Sequence, residues 1–305
     1  MTGILLVNMG GARSQKEMKT FLACMFNDPR ILPFGKNLRK LLSFIISNAR
    51  YKNSWKKYEL IGGTPLIEDT EATVLGLQSR LDNSCNVKMA FSYTSPTIEE
   101  SLLSFKNEGI HKITVIPLYP QASYSTTGSV QDDLQRITTK ENTFDIRFEN
   151  EFYQHRQYIS FWSELIMKHI KDKRLSSPYL VFSAHSIPQY LVDKGDTYPQ
   201  AITESAKLIA GNLGLEFEVC YQSGIKGSKW VGPDTKERLR ALAGKTEIVI
   251  IPISFINENL ETLYDIDKII IPYGTNELGI KQLSRVNIPV ASDTFLKLLE
   301  EIVRK

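Results

Sequence analysis

Short runs of apolar residues alternate along this chain with longer stretches of helical period. Residues 4–7 form an unbroken apolar run, the pattern of a strand buried on both faces of a parallel sheet. Similar runs at 89–93, 113–118 and 146–152, and in the second half at 179–182, 217–221, 248–255 and 286–290, predict further strands. Helical periods fall between them. One covers 98–107, with Pro96 and Thr97 ahead of it; another covers 199–213, closed by Gly214; a third covers 292–304, with Ser292 or Asp293 as N-cap. Strand and helix alternate through both halves. The pattern predicts an α/β fold of two Rossmann-like, doubly wound domains with parallel sheets, 1–152 and 153–305.

The stretch 31–50 stands apart. Leu38, Leu41, Leu42, Ile45 and Ile46 recur at helical spacing, among the basic residues Lys36, Arg39, Lys40 and Arg50. Two readings stay open: an ordinary amphipathic helix packed by its apolar face, or an apolar edge that touches a membrane surface or an apolar ligand.

Bulk properties narrow the classes. The 305 residues are 42% hydrophobic and 23% charged, with a formal net charge of +3, and no basic stripe with interleaved aromatics marks a nucleic-acid surface. Cys24, Cys85 and Cys220 lie far apart and form no CxxC pair, so neither a disulfide framework nor a cysteine metal cluster is expected. The N-terminal sequence MTGILLVNMGG lacks the form of a signal peptide, and no apolar run reaches the ~18 residues of a membrane span. A cytoplasmic protein is expected.

In open parallel sheets ligands bind beyond the carboxyl ends of the strands, so the residues after each strand are the candidates. They include Asn8-Met9-Gly10-Gly11, Ser92-Tyr93, Tyr119-Pro120-Gln121, Ser183-Ala184-His185-Ser186, Gln222-Ser223 and the stretch 255–261. No G-x-G-x-x-G, no G-x-x-x-x-G-K-[ST] and no G-x-S-x-G is present, which removes dinucleotide binding, P-loop chemistry and the α/β-hydrolase elbow. His185, at a strand end, is the histidine best placed to accept a proton or ligate a metal; His111, His155 and His169 read as structural. Glu261 and Asp265 stand four apart, on one helical face, with Asp267 less well aligned. They read either as a solvated face or as a carboxylate row that passes a cation or protons outward.

Seven stretches together resemble a ferrochelatase: LLVNMGG near the start, YELIGGTPL at 58–66, PLYPQASYSTTGS at 117–129, FSAHSIP at 182–188, KGDTYPQ at 194–200, CYQSGIKGSKWVGP at 220–233 and FINENLETLYDID at 255–267. The resemblance implies a chelatase-like pair of Rossmann-like domains enclosing a porphyrin cleft, with the last helix, 292–304, packing back on the first domain. It implies insertion of Fe²⁺ into protoporphyrin IX to form protohaem, with release of two protons. His185 and Glu261 match the family's catalytic pair, and with Asp265 they are the implied metal contacts. Met9, Arg50, Tyr58, Tyr93, Tyr119, Trp230 and Phe255 match pocket-wall positions. Iron is then a substrate; no tightly bound cofactor and no iron–sulfur cluster are expected. The expected partners are porphyrin and ferrous iron, with weak membrane-surface contact through 31–50 and no nucleic acid.

Two departures stand out. Asn259 occupies the place of a histidine in the family's D-H-x-E pattern, and an amide cannot titrate. Ser92 stands where the family often has arginine. Coproporphyrin III insertion and non-catalytic porphyrin or haem binding are the alternatives; the order of the blocks disfavours a sirohydrochlorin–cobalt chelatase.

Overall fold

The computed structural model describes residues 1–140, 143–224 and 229–305. It divides into two compact units, Met1–Glu151 together with Leu299–Lys305, and Phe152–Leu298. Each unit is built on a four-stranded parallel sheet.

In the first unit the strands are β1 (Thr2–Asn8), β2 (Cys85–Phe91), β3 (Lys112–Pro117) and β4 (Asp145–Phe148), in the order β2-β1-β3-β4. Ile4, Leu5, Leu6 and Val7 of central β1 have no solvent exposure, as a strand covered on both faces requires. The helix Ile98–Asn107 lies close on this sheet, where a Cβ on Gly3 would meet Phe105 at 2.9 Å and Ile113 at 2.6 Å. Its N-terminus is fixed by a capping box. Thr97 Oγ1 accepts from Glu100 N at 3.2 Å, and the Glu100 carboxylate accepts from Thr97 N at 2.7 Å. β2 begins four residues earlier than the apolar run suggested. It is an edge strand, and its outer side chains are polar: Lys88 Nζ donates to Ser104 Oγ and pairs with Glu108. β4 is shorter than 146–152. The end of the helix Asp293–Arg304 belongs to this unit, where Arg147 Nη2 donates to the Ile302 carbonyl at 2.6 Å and Arg80 pairs with Glu300.

The second unit has β5 (Tyr179–His185), β6 (Phe217–Gln222), β7 (Glu247–Ile251) and β8 (Gln282–Arg285), in the order β6-β5-β7-β8. The fold class therefore agrees with the sequence pattern, but three boundaries differ. β5 runs on to His185. β7 stops before Pro252, where the chain turns and Phe255 N donates to the Pro252 carbonyl. The last strand is 282–285, not 286–290. Arg285 lies within it, and Pro289 stands in the run expected to be a strand, so hydropathy misplaced the element. The run after β7 is helical as expected, but its form is π rather than α: Glu261–Ile270 and Tyr273–Glu277. The helix 199–213 appears as Tyr198–Leu213, and Gly214 ends it at φ 65.

Burial fixes how stability should depend on pH. It pushes the Cys220 thiol of β6 up to about 12 and the neighbouring Tyr221 phenol up to about 12, above ordinary values of 9.0 and 10.0. The unfolded chain ionises these groups first, so above pH 9 the folded state binds more protons. Stability is therefore full below about pH 9 and falls as pH rises toward 12. Urea midpoints at pH 8 and pH 10.5 should show a loss on the order of 1–2 kcal/mol for each such group, and Cys220→Ala should flatten the slope. Equal midpoints at the two pH values would contradict this assignment.

Candidate functional site

At the carboxyl edge of the first sheet, backbone bonds knit the three strand-end loops together. Ser92 N donates to the Asn8 carbonyl, Tyr93 N to the Met9 carbonyl and Leu118 N to the Val7 carbonyl. Buried Asn8 positions Met9, because its Oδ1 accepts from Met9 N at 2.8 Å while its amide donates to Thr70 Oγ1 at 3.2 Å. Gly10 follows at φ 88, a conformation that needs glycine here because a Cβ would meet Phe91 and Thr94 at 3.0 Å or less. Tyr93 donates from its hydroxyl to Asp28 Oδ2 at 2.7 Å. Burial, and after it the Asp28 carboxylate, hold this phenol well above its ordinary range; burial does the same to Tyr119. Met9, Tyr93 and Tyr119 thus share one strand-end surface, and both phenols stay protonated there. Ser92, where the family often has arginine, hydrogen-bonds Tyr119.

Tyr58 and Arg50 lie on the long helix Lys36–Glu59. Tyr58 is buried, stacked with Trp55 at 6.4 Å between centroids. Arg50 is exposed, with its guanidinium 5.9 Å from the centre of the Phe26 ring.

The second sheet carries the titratable pair. His185 ends β5 opposite Gln222 of β6. Its backbone N–H donates to Ser254 Oγ at 3.1 Å, its carbonyl accepts from buried Tyr198, and Nδ1 lies 2.6 Å from the Ser186 carbonyl. A carbonyl can only accept, so Nδ1 carries a proton, and in the neutral ring Nε2 is the nitrogen with the lone pair. Trp230 follows in the segment that runs beside this loop: Val231 N donates to the Ile187 carbonyl, and Ser186 Oγ donates to the Val231 carbonyl at 2.7 Å. Residues 225–228, within the CYQSGIKGSKWVGP stretch, lie outside the described residues. Phe255 sits in the turn after β7, next to the Ser254 that holds His185.

Glu261 opens the π-helical segment, and the end of β6 clamps that segment twice. Gln222 Nε2 donates to the Glu261 carbonyl at 3.0 Å, and Ser223 Oγ donates to Asp265 Oδ2 at 2.7 Å. Ser223 takes φ 64 to do so, a left-handed conformation uncommon for a non-glycine residue. π-helical turns are rare and concentrate at functional sites. A cavity of about 170 Å³ lies here, lined by Gln222, Ser223, Asp234, Thr235, Lys236, Asp265, Ile269 and Ile270.

The sequence grouped Asp267 with Glu261 and Asp265, but Asp267 instead forms a two-pronged pair with Arg285 at 2.8 Å. Arg285 also binds Glu258 at 2.8 Å, and Glu258 accepts from Ile288 N and Thr262 Oγ1. Asn259 is a cap: its Oδ1 accepts from Thr262 N at 3.0 Å. Sequence reasoning noted Gln222 and Ser223 only as strand-end residues; their clamp on the helix depends on a contact between β6 and a segment 39 residues further on. Among the described residues, no three of His, Cys, Asp and Glu group closely enough to enclose a metal.

The ferrochelatase family model matches residues 1–305. Curated ferrochelatases of Aquifex aeolicus and Geobacter metallireducens are similar at 35% and 33% identity, covering 99% and 100% of this chain and 98% of each relative. Among solved structures, SirB from Bacillus subtilis with Fe³⁺ is similar with TM-score 0.61 and 14% identity over 98% of this chain and 94% of its own. CbiX, a terminal enzyme of sirohaem biosynthesis, aligns with TM-score 0.55 and 11% identity over 99% and 98%. At these identities the two structures attest the fold.

The capping geometry has a direct consequence. Asn259→Ala should destabilise the protein by about 1 kcal/mol in urea denaturation. Asn259→His should lose much less, because an imidazole Nδ1 can accept from a backbone N–H as His155 does from Gln157 at 3.2 Å. Equal losses in the two variants would refute the cap.

Proposed function

The chain belongs to the ferrochelatase family, and on that premise we propose that it acts as a lyase inserting Fe²⁺ into protoporphyrin IX, with release of two protons and formation of protohaem. The observation that carries the reading is His185: it stands at a strand's carboxyl end with Nδ1 committed to a carbonyl and Nε2 free of that bond. Its Nε2 accepts a pyrrole proton or meets the incoming iron. Glu261, clamped through Gln222, shares the proton or the metal, and Asp265 extends the acidic path outward. Iron is a substrate that must leave with the macrocycle, so a protein cage of three or more ligands would work against turnover; His185, Glu261 and Asp265 act as successive contacts. No tightly bound cofactor and no iron–sulfur cluster enter the reaction. The porphyrin contacts are Met9, Arg50, Tyr58, Tyr93 and Tyr119 of the first unit and Trp230, Phe255 and Asn259 of the second. A tight apolar pocket that binds a bent macrocycle better than a flat one turns a pyrrole lone pair toward the metal, and Tyr119, Trp230 and Phe255 are suited to its walls. Preference for protoporphyrin rests on the PLYPQ stretch followed by S-T-T-G.

A second partner is an anionic lipid surface, with the protein cytoplasmic and peripheral to the membrane. The support is the orientation of the helix Lys36–Glu59. Ser43 and Ser47 are its buried face, with Ser43 Oγ bonded to the Ala23 carbonyl at 2.7 Å. Leu38, Leu41, Phe44 and Ile45, within about 120° of helical arc, point to solvent, with Phe44 63% exposed. The helix carries seven Lys or Arg and one Glu, a net +6 in a chain whose total is +3. Large apolar side chains outward and cations alongside match an acidic bilayer. Among the described residues, no helix is long and apolar enough to cross a membrane.

Two measurements test this. In anaerobic insertion assays with Fe²⁺ or Zn²⁺, His185→Ala should lower turnover by ~10²–10⁴-fold while porphyrin still quenches protein fluorescence. Turnover within about threefold of wild type would sink the role of His185, and faster insertion into coproporphyrin III than into protoporphyrin IX would reverse the substrate preference. In flotation, wild type should rise with phosphatidylglycerol-containing vesicles at low salt and detach at high salt, whereas the double variant Phe44→Ser, Ile45→Ser should stay in solution. No flotation of wild type at low salt would remove the lipid partner.

A further inference from the structure

We propose that Gln222, a buried residue, is a positioning residue that sets the alignment of Glu261 against His185; this rests on the roles given to those two residues above. Gln222 is 2% exposed, and its bonds run to Ser186, the residue after His185, and to Glu261 itself. In the backbone it lies opposite His185 in the β5–β6 register, and its carbonyl accepts from Ser186 N at 2.8 Å. Through its side chain it donates to the carbonyl of Glu261 at 3.0 Å. One residue thus joins the strand end that bears the imidazole to the first turn of the segment that bears the carboxylate.

The direction of the hydrogen bonds is determined. The Glu261 carbonyl can only accept, so the NH₂ group of Gln222 faces it and Oε1 faces away. Oε1 lies 2.7 Å from Ser183 Oγ, which must donate. With its one proton committed, Ser183 can only accept from Thr235 Oγ1 at 2.9 Å. The chain runs one way, Thr235 to Ser183 to Gln222 to Glu261, and Ser183 and Thr235 are fully buried as well. A directed, satisfied buried chain resists reorientation, since reversing any member strands a polar group without a partner. Partners behind catalytic groups commonly matter about 10–100-fold in activity.

Two variants read this out. Gln222→Leu removes the donor. Gln222→Glu replaces it with a group that can donate only when protonated, and burial raises the pKa of such a carboxyl. Gln222→Leu should lower kcat for Zn²⁺ insertion by about tenfold or more, with KM for porphyrin within about twofold, because the porphyrin surface is untouched. Gln222→Glu should be impaired at high pH and recover as pH falls, through an ionisation absent from wild type and from Gln222→Leu. Should the leucine variant not fold, judged by far-UV circular dichroism and porphyrin quenching, the pH profile of Gln222→Glu decides alone. A folded Gln222→Leu within twofold of wild-type kcat, or a Gln222→Glu profile superimposable on wild type, overturns the proposal. His185→Ala run in parallel separates the two levels. An active His185→Ala means that the reading of the reaction fails; an inactive His185→Ala beside a fully active Gln222→Leu means that only the positioning role fails.

Discussion

A guanidinium cannot be buried without anionic partners, and burying that of Arg285, 5% exposed, organises much of the second unit's edge. Glu258 and Asp267 supply the charges. Because Glu258 precedes the π-helical segment and Asp267 lies within it, the same ion cluster holds the segment at two places. Glu258 also takes the Thr262 hydroxyl and the Ile288 amide, and Thr262 in turn is capped by Asn259. The segment that presents Glu261 and Asp265 is therefore tethered on one side by Arg285 and on the other by Gln222 and Ser223 of β6. Removing Arg285 leaves two carboxylates without their cation, whereas removing either carboxylate leaves a one-to-one pair, so the arginine is the member the cluster depends on.

The two units solve one problem in different ways. A parallel strand covered on both faces is apolar along its length, and its polar backbone must find partners where the pairing ends. In the first unit the loops after β1, β2 and β3 bond one another, and phenols collect there, kept protonated by burial and, after it, by Asp28. In the second, side-chain hydroxyls and amides take over, with Ser254, Tyr198 and Ser186 fixing every polar group of His185 except Nε2. One edge offers aromatic surface and protonated phenols; the other offers a base and carboxylates.

The helix Lys36–Glu59 inverts the usual rule that large apolar side chains face inward. Its partner is the helix Gln15–Phe26, and the small Ser43 and Ser47 let the two backbones approach closely. Close packing by small residues leaves the leucines, Phe44 and Ile45 with nowhere to go but outward. The amphipathic period was legible; which side faced the protein was not, because periodicity counts apolar positions and says nothing about what they meet.

By itself the sequence determined the α/β class, the central strands, the helix Ile98–Asn107 and the family, because each depends on local pattern or on contiguous motifs. Continuous apolar runs have few alternatives to a doubly covered parallel strand, and Thr97 and Glu100 are three residues apart whatever the rest of the chain does. Tertiary structure decided the rest. It moved β8 onto a stretch ending in a buried arginine, which no hydropathy pattern anticipates until Glu258 and Asp267 arrive to neutralise it. It withdrew Asp267 from the carboxylate row. It chose the tautomer of His185, since the carbonyl that fixes Nδ1 depends on how the loop after β5 folds. The shift of β8 and the loss of Asp267 from the row share a physical reason: the free energy of a buried charge is set by the partners within about 3 Å, and those partners are brought together only when distant segments meet, whereas the His185 bond is to the next residue and turns on the backbone conformation of its loop.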